Sequence, residues 1–248
     1  MIFSKATAAD IRNLNGEQTL VVLPLAASEQ HGPHLPTGTD TIICQAVAEA
    51  VEAQLADRIL LLPSLWLGAS DHHLRFGATL TASLDVYETL LLEIVQPLLR
   101  NGFRRLLLLN GHGGNIDPMR VALRRLQTPF PSALLLAASY WSIAAAEIAA
   151  QMEGPCKTVG HACEAETSLI MHLRPELVKT EAIRNEPDYL PDDVEGAFLC
   201  RDMHQRTSQG HTGFPKLGSP EKGARLFEAI VERVTQAANR FLNEPLPT

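Results

Sequence analysis

Residues 29–40 concentrate the side chains best suited to bind a divalent metal ion. Glu29 and His31 are two residues apart directly after an apolar run, so an extended backbone directs both side chains to the same side. The glycine- and proline-rich segment that follows cannot continue a helix or a central strand, and it ends at Asp40, where a helix should begin. Carboxylate and imidazole groups on a loop at a strand end favour a divalent metal site. A polar surface loop in which Asp40 caps the helix is the alternative interpretation.

A second candidate, His112, follows the most apolar run of the chain. Residues 106–109 are all leucine, and the sequence NGHGGN occupies 110–115. Glycines on both sides of a histidine let the backbone approach a ligand closely. The spacing matches neither a dinucleotide-binding fingerprint nor a Walker A motif, which disfavours nucleotide binding. A structural histidine is the remaining alternative.

A third segment runs from His161 to Glu166. In a helix His161 adjoins Glu164, and two carboxylates with one histidine at a helix start could supply a metal ligand and a proton carrier. We therefore treat His161 and Glu164 as candidate catalytic residues and Glu166 as a candidate ligand, and the sequence leaves open which of the two glutamates binds the metal. The alternative is a solvated first turn whose negative charge complements the helix dipole.

Taken together, the three segments contain the ligand types of a binuclear site in which one carboxylate bridges two ions. The candidate metal ligands are Glu29, His31, Asp40, His112 and Glu166. Two such ions would lower the pKa of a shared water and polarise a carbonyl oxygen, which suits hydrolysis of an unactivated C–N bond.

The elements that must position these segments are short apolar strands separated by helices. We predict strands at residues 19–26, 59–63, 104–109 and 133–138, and helices at 41–55, 85–99, 118–126 and 221–242. This alternation predicts one domain over residues 1–248, a three-layer α/β/α sandwich with a mainly parallel sheet. Right-handed crossovers then place the loops that follow the strands at one edge of the sheet, where such folds bind ligands. Residues 184–215 are rich in Asp, Pro and Gly and are predicted to form a long loop region.

Composition excludes several classes of protein. The 46% hydrophobic and 20% charged residues are typical of a soluble globular protein, and a net charge of −7 without basic clusters argues against a nucleic-acid partner. No apolar run approaches the length of a membrane span, and the N-terminus lacks the pattern of a signal peptide. The four cysteines contain no C-x-x-C pair, which argues for a reducing compartment. We expect a cytoplasmic protein without a membrane partner.

Four segments resemble, in order, the signatures of the creatininase (creatinine amidohydrolase) family. The three strongest are EQHGPHLPTGTD at 29–40, NGHGGN at 110–115 and HACEAETS at 161–168. Within residues 68–80, His73, Phe76 and Thr79 match the family's H-x-x-F-x-G-T stretch, whereas Ala78 stands where glycine is usual. The resemblance extends weakly to residues 218–223.

The resemblance implies a metal-dependent amidohydrolase that cleaves a cyclic amide, a formamide or a similar C–N bond of a small-molecule substrate with a bridging hydroxide. It further implies an α/β sandwich, two divalent ions per subunit (zinc, manganese or iron) and a homohexamer. Position by position, the family's pattern assigns Glu29 and His112 to one ion, His31 and Glu166 to the other, Asp40 to the bridge, and His161 to proton transfer to the leaving nitrogen.

Departures from the family's pattern bear on the substrate. True creatininases have a tyrosine and a metal-binding glutamate where this sequence has Gly113 and Gly114, and a tryptophan where it has Lys157. We therefore expect a substrate other than creatinine, with true creatinine amidohydrolase kept as an alternative. The glycine-rich version resembles members that hydrolyse formamidopyrimidines or process a modified peptide, so a peptidase of a peptide-cofactor pathway is a second alternative.

Three further residues are expected to contact substrate. His73 and Trp141 would shape the pocket, and His34 would either contact substrate or hold its loop in place. A metal-stabilised binding protein without catalysis is the least favoured function, because structural metal sites tend to be closed and rich in Cys and His rather than carboxylates.

Overall fold

The protein is built on a parallel sheet that lies between two layers of helices. A computed structural model describes residues 1–191 and 193–247, and within them one sheet has four parallel strands in the order β2–β1–β3–β4. These strands are β1 (Leu20–Leu25), β2 (Ile59–Leu61), β3 (Arg105–Asn110) and β4 (Leu134–Ser139). The predicted single-domain α/β fold with a parallel sheet is confirmed.

The helices in the described residues connect these strands and follow them. They are α1 (Ala8–Arg12), α2 (Thr39–Gln54), α3 (Leu84–Arg100), α4 (Ile116–Gln127), α5 (Tyr140–Ile143), α6 (Ala145–Gln151), α7 (Glu164–Leu173), α8 (Met203–Arg206) and α9 (Pro220–Asn243). None of the described helices has both the length and the apolar character needed to cross a membrane.

Each face of the sheet has its own hydrophobic core. Alternate residues of β1 point to opposite faces: Leu20 and Val22 pack with α2, α7 and α9, whereas Val21 and Leu23 pack with α3 and α4. Because both faces are covered, the strands are continuous apolar runs rather than alternating polar and apolar residues.

The connections create a point at the sheet where the strand order reverses. The chain passes from β1 through α2 to β2 on one side, and then crosses through α3 to β3 on the other side of β1. The carboxyl ends of β1 and β3 therefore have loops that diverge, and folds of this kind bind ligands in that crevice.

The predicted element bounds agree with the observed ones to within two residues, and two differences matter for the site. Helix α2 begins at Thr39 after Gly38, so Asp40 lies inside the first turn and does not cap the helix. Strand β3 continues to Asn110, which pairs with Leu25 and Ser139 and so holds the following loop at the sheet edge.

The region 184–215 is not only a loop. It contains a short hairpin, β5 (Asp193–Val194) and β6 (Ala197–Phe198), and it contains helix α8. Glu186 and Gly213 exchange two backbone hydrogen bonds, of 2.8 and 3.0 Å, which hold the two ends of this region together. Strands of two residues are too short to produce a periodic pattern, so the sequence did not predict them.

Candidate metal centre

The loops that follow β1 and β3 bring the first set of candidate ligands together. Asn110 organises the second of these loops, because its side-chain amide donates to the His112 carbonyl at 2.7 Å while its side-chain oxygen accepts from the His112 N–H at 3.1 Å. Asn115 donates to the carbonyl of Ala26 at 3.1 Å and so ties this loop to the end of β1. The two asparagines of NGHGGN are thus structural partners of His112, a role that the sequence interpretation missed.

One group of candidate ligands consists of Glu29, Asp40 and His112. The His112 Nδ1 atom lies 3.3 Å from Glu29 Oε1 and 3.2 Å from Asp40 Oδ2. Zinc–ligand bonds of about 2.0–2.1 Å put neighbouring tetrahedral ligands about 3.3–3.4 Å apart. These three atoms therefore have the spacing of ligands around one ion.

A second group consists of His31, Asp40 and Glu166. The His31 Nε2 atom lies 3.0 Å from Asp40 Oδ1 and 3.9 Å from Glu166 Oε1. Asp40 presents Oδ2 to the first group and Oδ1 to the second, which is the geometry of a bridging carboxylate.

Burial indicates that these groups fit a cation. Glu29, Asp40 and Glu166 are at most 5% exposed. In the described part of the chain, both carboxylate oxygens of Glu29, Asp40 Oδ2 and Glu166 Oε2 are buried without a hydrogen-bond donor. Buried carboxylates without compensation carry a desolvation penalty of several kcal/mol each. Two divalent ions among these oxygens would remove that penalty, so the donor set and the unpartnered atoms both fit a metal centre.

The two ligand histidines present the correct nitrogen to the carboxylates. His31 Nδ1 donates to the Glu29 carbonyl at 3.1 Å, and His112 Nε2 donates to the Ala69 carbonyl at 3.2 Å. The opposite ring nitrogen of each is therefore free for a metal, and a ring N–H held by a carbonyl is the usual arrangement of metal-ligating histidines.

The electrostatics of the cluster favour positive charge. Burial opposes protonation of His31, but the carboxylates of Asp40, Glu166 and Glu29 raise its pKa to about 10. His112 has a pKa well above its usual value, because Glu29 and Asp40 outweigh the effect of burial. Burial raises the pKa of Glu166 to about 7. The site thus attracts protons when no other cation is bound.

His161 and His73 lie against the Glu29 carboxylate. His161 Nε2 donates to the Gln30 carbonyl at 2.7 Å, which leaves Nδ1 facing Glu29 Oε1 at 3.6 Å. His73, from the 3₁₀ turn Asp71–Phe76, has Nε2 3.3 Å from the same oxygen. His73 therefore contacts a candidate ligand. It is only 2% exposed, so it is less open to substrate than we expected.

Glu164 does not join the cluster. Its carboxylate accepts hydrogen bonds from the backbone N–H groups of Glu153 and Gly154 and from Lys222 Nζ. Residues two apart in a helix point about 200° apart, so Glu164 and Glu166 face different surroundings. Its contacts therefore argue against the catalytic role that we expected for it, and no pattern in the sequence predicted Lys222 as its partner.

His34 and Trp141 also lie outside the cluster. His34 Nε2 is 2.9 Å from Thr167 Oγ1, and its ring meets that of His211 edge to face, so His34 holds its loop against α7. Burial and the neighbouring His211 lower the pKa of His34 to about 4. Trp141 is half-buried, packs edge to face on Tyr140 and borders the core beneath α2 and α7. Its role in a substrate pocket stays a prediction.

Comparison with known proteins places the chain in a family. A family model described as creatininase, creatinine amidohydrolase, matches residues 4–238. The chain belongs to the creatininase family. Among curated relatives of this creatininase-family protein, the mycofactocin precursor peptide peptidase of Mycobacterium ulcerans (strain Agy99) is 34% identical over 240 residues, covering 91% of this chain and 86% of the relative. The creatinine amidohydrolase of Pseudomonas putida is 29% identical over 238 residues and 88% of each chain.

Solved structures of creatininases share the fold. A mutant creatininase of Zn-Zn type is 24% identical and superposes with a TM-score of 0.82 over 98% of each chain. A manganese creatininase is also 24% identical and superposes with a TM-score of 0.81 over 98% of this chain and 99% of its own. Creatininases therefore carry zinc or manganese, and this family member has clustered residues able to hold such ions.

The predicted departure at Gly114 has a structural counterpart. A Cβ atom at Gly114 would lie 2.0 Å from the Ala69 carbonyl oxygen and 2.6 Å from His112 Nε2. This backbone therefore leaves no space for a side chain at Gly114, where the family resemblance led us to expect a metal-binding glutamate in true creatininases. The carboxylate of Glu166 lies in the second ligand group instead.

Proposed function

We propose that this creatininase-family hydrolase cleaves an amide-type C–N bond, in a cyclic amide or a formamide, at a binuclear divalent-metal site. The observation that carries the proposal is the position of Asp40, whose two oxygens face two separate groups of ligand atoms at 3.2 and 3.0 Å. A single ion would need only one of these groups.

The residues proposed to hold the ions are those of the two groups. Glu29 and His112 would bind one ion, His31 and Glu166 the other, and Asp40 both. Two divalent ions at this place would polarise a substrate carbonyl and make water a stronger nucleophile near neutral pH.

His161 is the proposed proton carrier. Its Nε2–H is held by the Gln30 carbonyl, so Nδ1 is the nitrogen able to accept a proton and pass it to a leaving nitrogen. Burial and the charge of His31 hold the pKa of His161 well below its usual value, so the ring is neutral at neutral pH.

A second candidate function is cleavage of a peptide bond in a short peptide. The similarity to the mycofactocin precursor peptide peptidase favours it, at 34% identity over 91% of this chain. A peptide bond is also an amide C–N bond, so the same residues would serve either substrate.

Metal analysis tests the binuclear site. We expect about two divalent ions per chain in metal-loaded wild-type protein and at most about one in Asp40→Ala, because the variant removes a ligand from both groups. The exposed Asp117→Ala is the matched control and should retain both ions. Fewer than one ion per loaded wild-type chain, unchanged in Asp40→Ala, would refute the proposal.

A substrate screen on protein of known metal content tests the reaction. Creatinine, lactams, formamidopyrimidines and short peptides should be offered to wild-type protein and to Glu29→Gln. Turnover of a lactam or formamide that is lost in Glu29→Gln supports the first candidate, and turnover of peptides alone supports the second. A protein that turns over none of them, and in which Glu29→Gln changes only the melting temperature, would be a binding protein.

A further inference from the structure

Gln30 stands between Glu29 and His31 in the sequence, and its buried side-chain amide contacts His73. We propose that Gln30 and His73 are positioning residues, in which Gln30 fixes the tautomer of His73 so that the Nε2–H group of His73 is directed toward the Glu29 carboxylate. The inference rests on the proposed metal site, and it assigns a role to two residues that bind neither ion.

The orientation of the Gln30 amide follows from a backbone group. The N–H of Gly32 points at Gln30 Oε1 over 3.0 Å, and a backbone N–H can only donate, so the amide oxygen lies at that position. The NH₂ group then faces His73 Nδ1 at 2.7 Å and also lies 3.1 Å from His161 Nε2. Since an amide NH₂ can only donate, His73 Nδ1 must accept and carries no proton.

The tautomer of His73 decides whether its Nε2 atom presents a proton or a lone pair to the Glu29 carboxylate. A neutral imidazole without a proton on Nδ1 carries it on Nε2, and this atom lies 3.3 Å from Glu29 Oε1. The same carboxylate oxygen lies 3.3 Å from His112 Nδ1 in the first ligand group. Hydrogen bonds thus run from the Gly32 backbone through Gln30 to His73, and they direct the His73 Nε2–H group toward Glu29.

The surroundings hold the Gln30 amide in place. A Cβ atom at Gly210 would lie 2.3 Å from Gln30 Oε1, so the region 184–215 packs directly on the amide. The backbone N–H of Gln30 donates to Thr79 Oγ1 at 3.2 Å, which ties the residue to the 68–80 segment as well. Gln30 is therefore fixed by two segments that are distant from it in sequence.

Nuclear magnetic resonance measures the tautomer directly. Protein labelled with ¹⁵N-histidine and loaded with zinc should show His73 with its proton on Nε2 in a long-range ¹H–¹⁵N correlation spectrum, and the signal is assigned by its loss in His73→Gln. A wild-type His73 that carries its proton on Nδ1 would overturn the inference without any variant.

Two substitutions of Gln30 distinguish the effect of its hydrogen-bond donor from the effect of its side-chain volume. Gln30→Met keeps the volume but removes the donor, and Gln30→Glu keeps the shape but presents an acceptor, which requires a proton on His73 Nδ1. Removing outer partners of metal ligands typically weakens metal affinity about 10–100-fold, and we expect a loss of this size for one zinc ion in Gln30→Met. The exposed Gln18→Met is the matched control and should bind zinc as wild type does.

These measurements are independent of turnover. A proton on His73 Nδ1 in Gln30→Glu together with weakened zinc binding in Gln30→Met supports the inference, even if no substrate is found. Unchanged zinc affinity in Gln30→Met, or an unchanged His73 tautomer in Gln30→Glu, would overturn it while leaving a demonstrated C–N hydrolase activity intact.

Discussion

Glu164 and Glu166 are two residues apart in the first turn of α7, yet their carboxylates have opposite surroundings. Glu164 pairs with the buried ammonium of Lys222 and accepts two backbone N–H groups. Glu166 faces His31 and Asp40, and one of its oxygens has no donor among the described residues. Side-chain direction alone therefore separates a structural carboxylate from a candidate metal ligand.

The paired variants Glu164→Gln and Glu166→Gln should have contrasting effects. Glu164→Gln leaves the Lys222 ammonium buried without its main counter-charge and should lower the free energy of unfolding by roughly 3–5 kcal/mol, with the bound metal retained. Glu166→Gln should lose one ion without destabilising the metal-free protein, because it replaces a buried carboxylate that carries a desolvation penalty with a neutral amide. Urea unfolding of metal-free protein and metal analysis measure the two quantities, and the reverse pattern would contradict these assignments.

Metal binding should release protons. The pKa of His31 is raised to about 10 and that of His112 is raised well above its usual value. Each imidazole therefore carries a second ring proton at pH 7.5, and a metal ion must displace that proton. Lowering the pH should therefore weaken zinc binding, about tenfold per pH unit for each proton displaced. Calorimetric titration at pH 7.5 in buffers of different ionisation enthalpy should give about two protons released per chain. Binding that releases none would show that the imidazoles are neutral before the metal binds.

At the scale of elements, the site depends on two loops at the point where the strand order reverses. The loop after β3 is held by Asn110 and Asn115 and passes close to Ala69 of the 68–80 segment. Its glycines differ in the space around them. A Cβ atom at Gly113 would have no other heavy atom within 4 Å, whereas one at Gly114 would lie 2.0 Å from the Ala69 oxygen.

Gly114→Ala should therefore displace the loop and His112 with it. We expect a loss of about 1–3 kcal/mol in the free energy of unfolding, as for other overpacked positions, and incomplete occupancy of the ion bound by Glu29 and His112. The neighbouring Gly113→Ala is the matched control and should keep wild-type stability and metal content. Thermal unfolding and metal analysis of both variants check the prediction, and equal behaviour of the two would contradict it.

At the scale of the whole molecule, large apolar side chains lie exposed on the hairpin of β5 and β6. Phe198 is 74% exposed, and Leu190 and Leu199 nearby are 48% and 40% exposed. Exposed apolar side chains of this size favour an interface between subunits. The homohexamer and the cytoplasmic location stay predictions.

Sedimentation velocity should show an assembly of six chains of 27.1 kDa at micromolar concentration. Phe198→Ser should weaken that assembly because it removes the most exposed aromatic ring of the hairpin, whereas Val121→Ser, on the exposed face of α4, should not. A wild-type monomer at this concentration would contradict the predicted hexamer.

The sequence by itself determined the fold class and the segments that form the centre. Four apolar runs alternating with helices predicted the parallel sheet, because strands buried on both faces lack alternation. The dense cluster in residues 29–40 and the glycine-rich segment around His112 both lie at strand ends, so the predicted topology already brought them to one edge. The sequence could predict these features because the periodicity of apolar residues and the end of a strand both depend on residues that are adjacent in the chain.

The tertiary structure decided the direction of individual side chains. It placed Glu166 in the cluster and Glu164 against Lys222, 58 residues later in the chain. It also turned His73 toward Glu29, held His34 against α7, and set the amide of Gln30 between histidines from two other segments. These contacts join residues that are distant in sequence and depend on helix rotation and loop packing, neither of which leaves a periodic pattern in the amino-acid sequence.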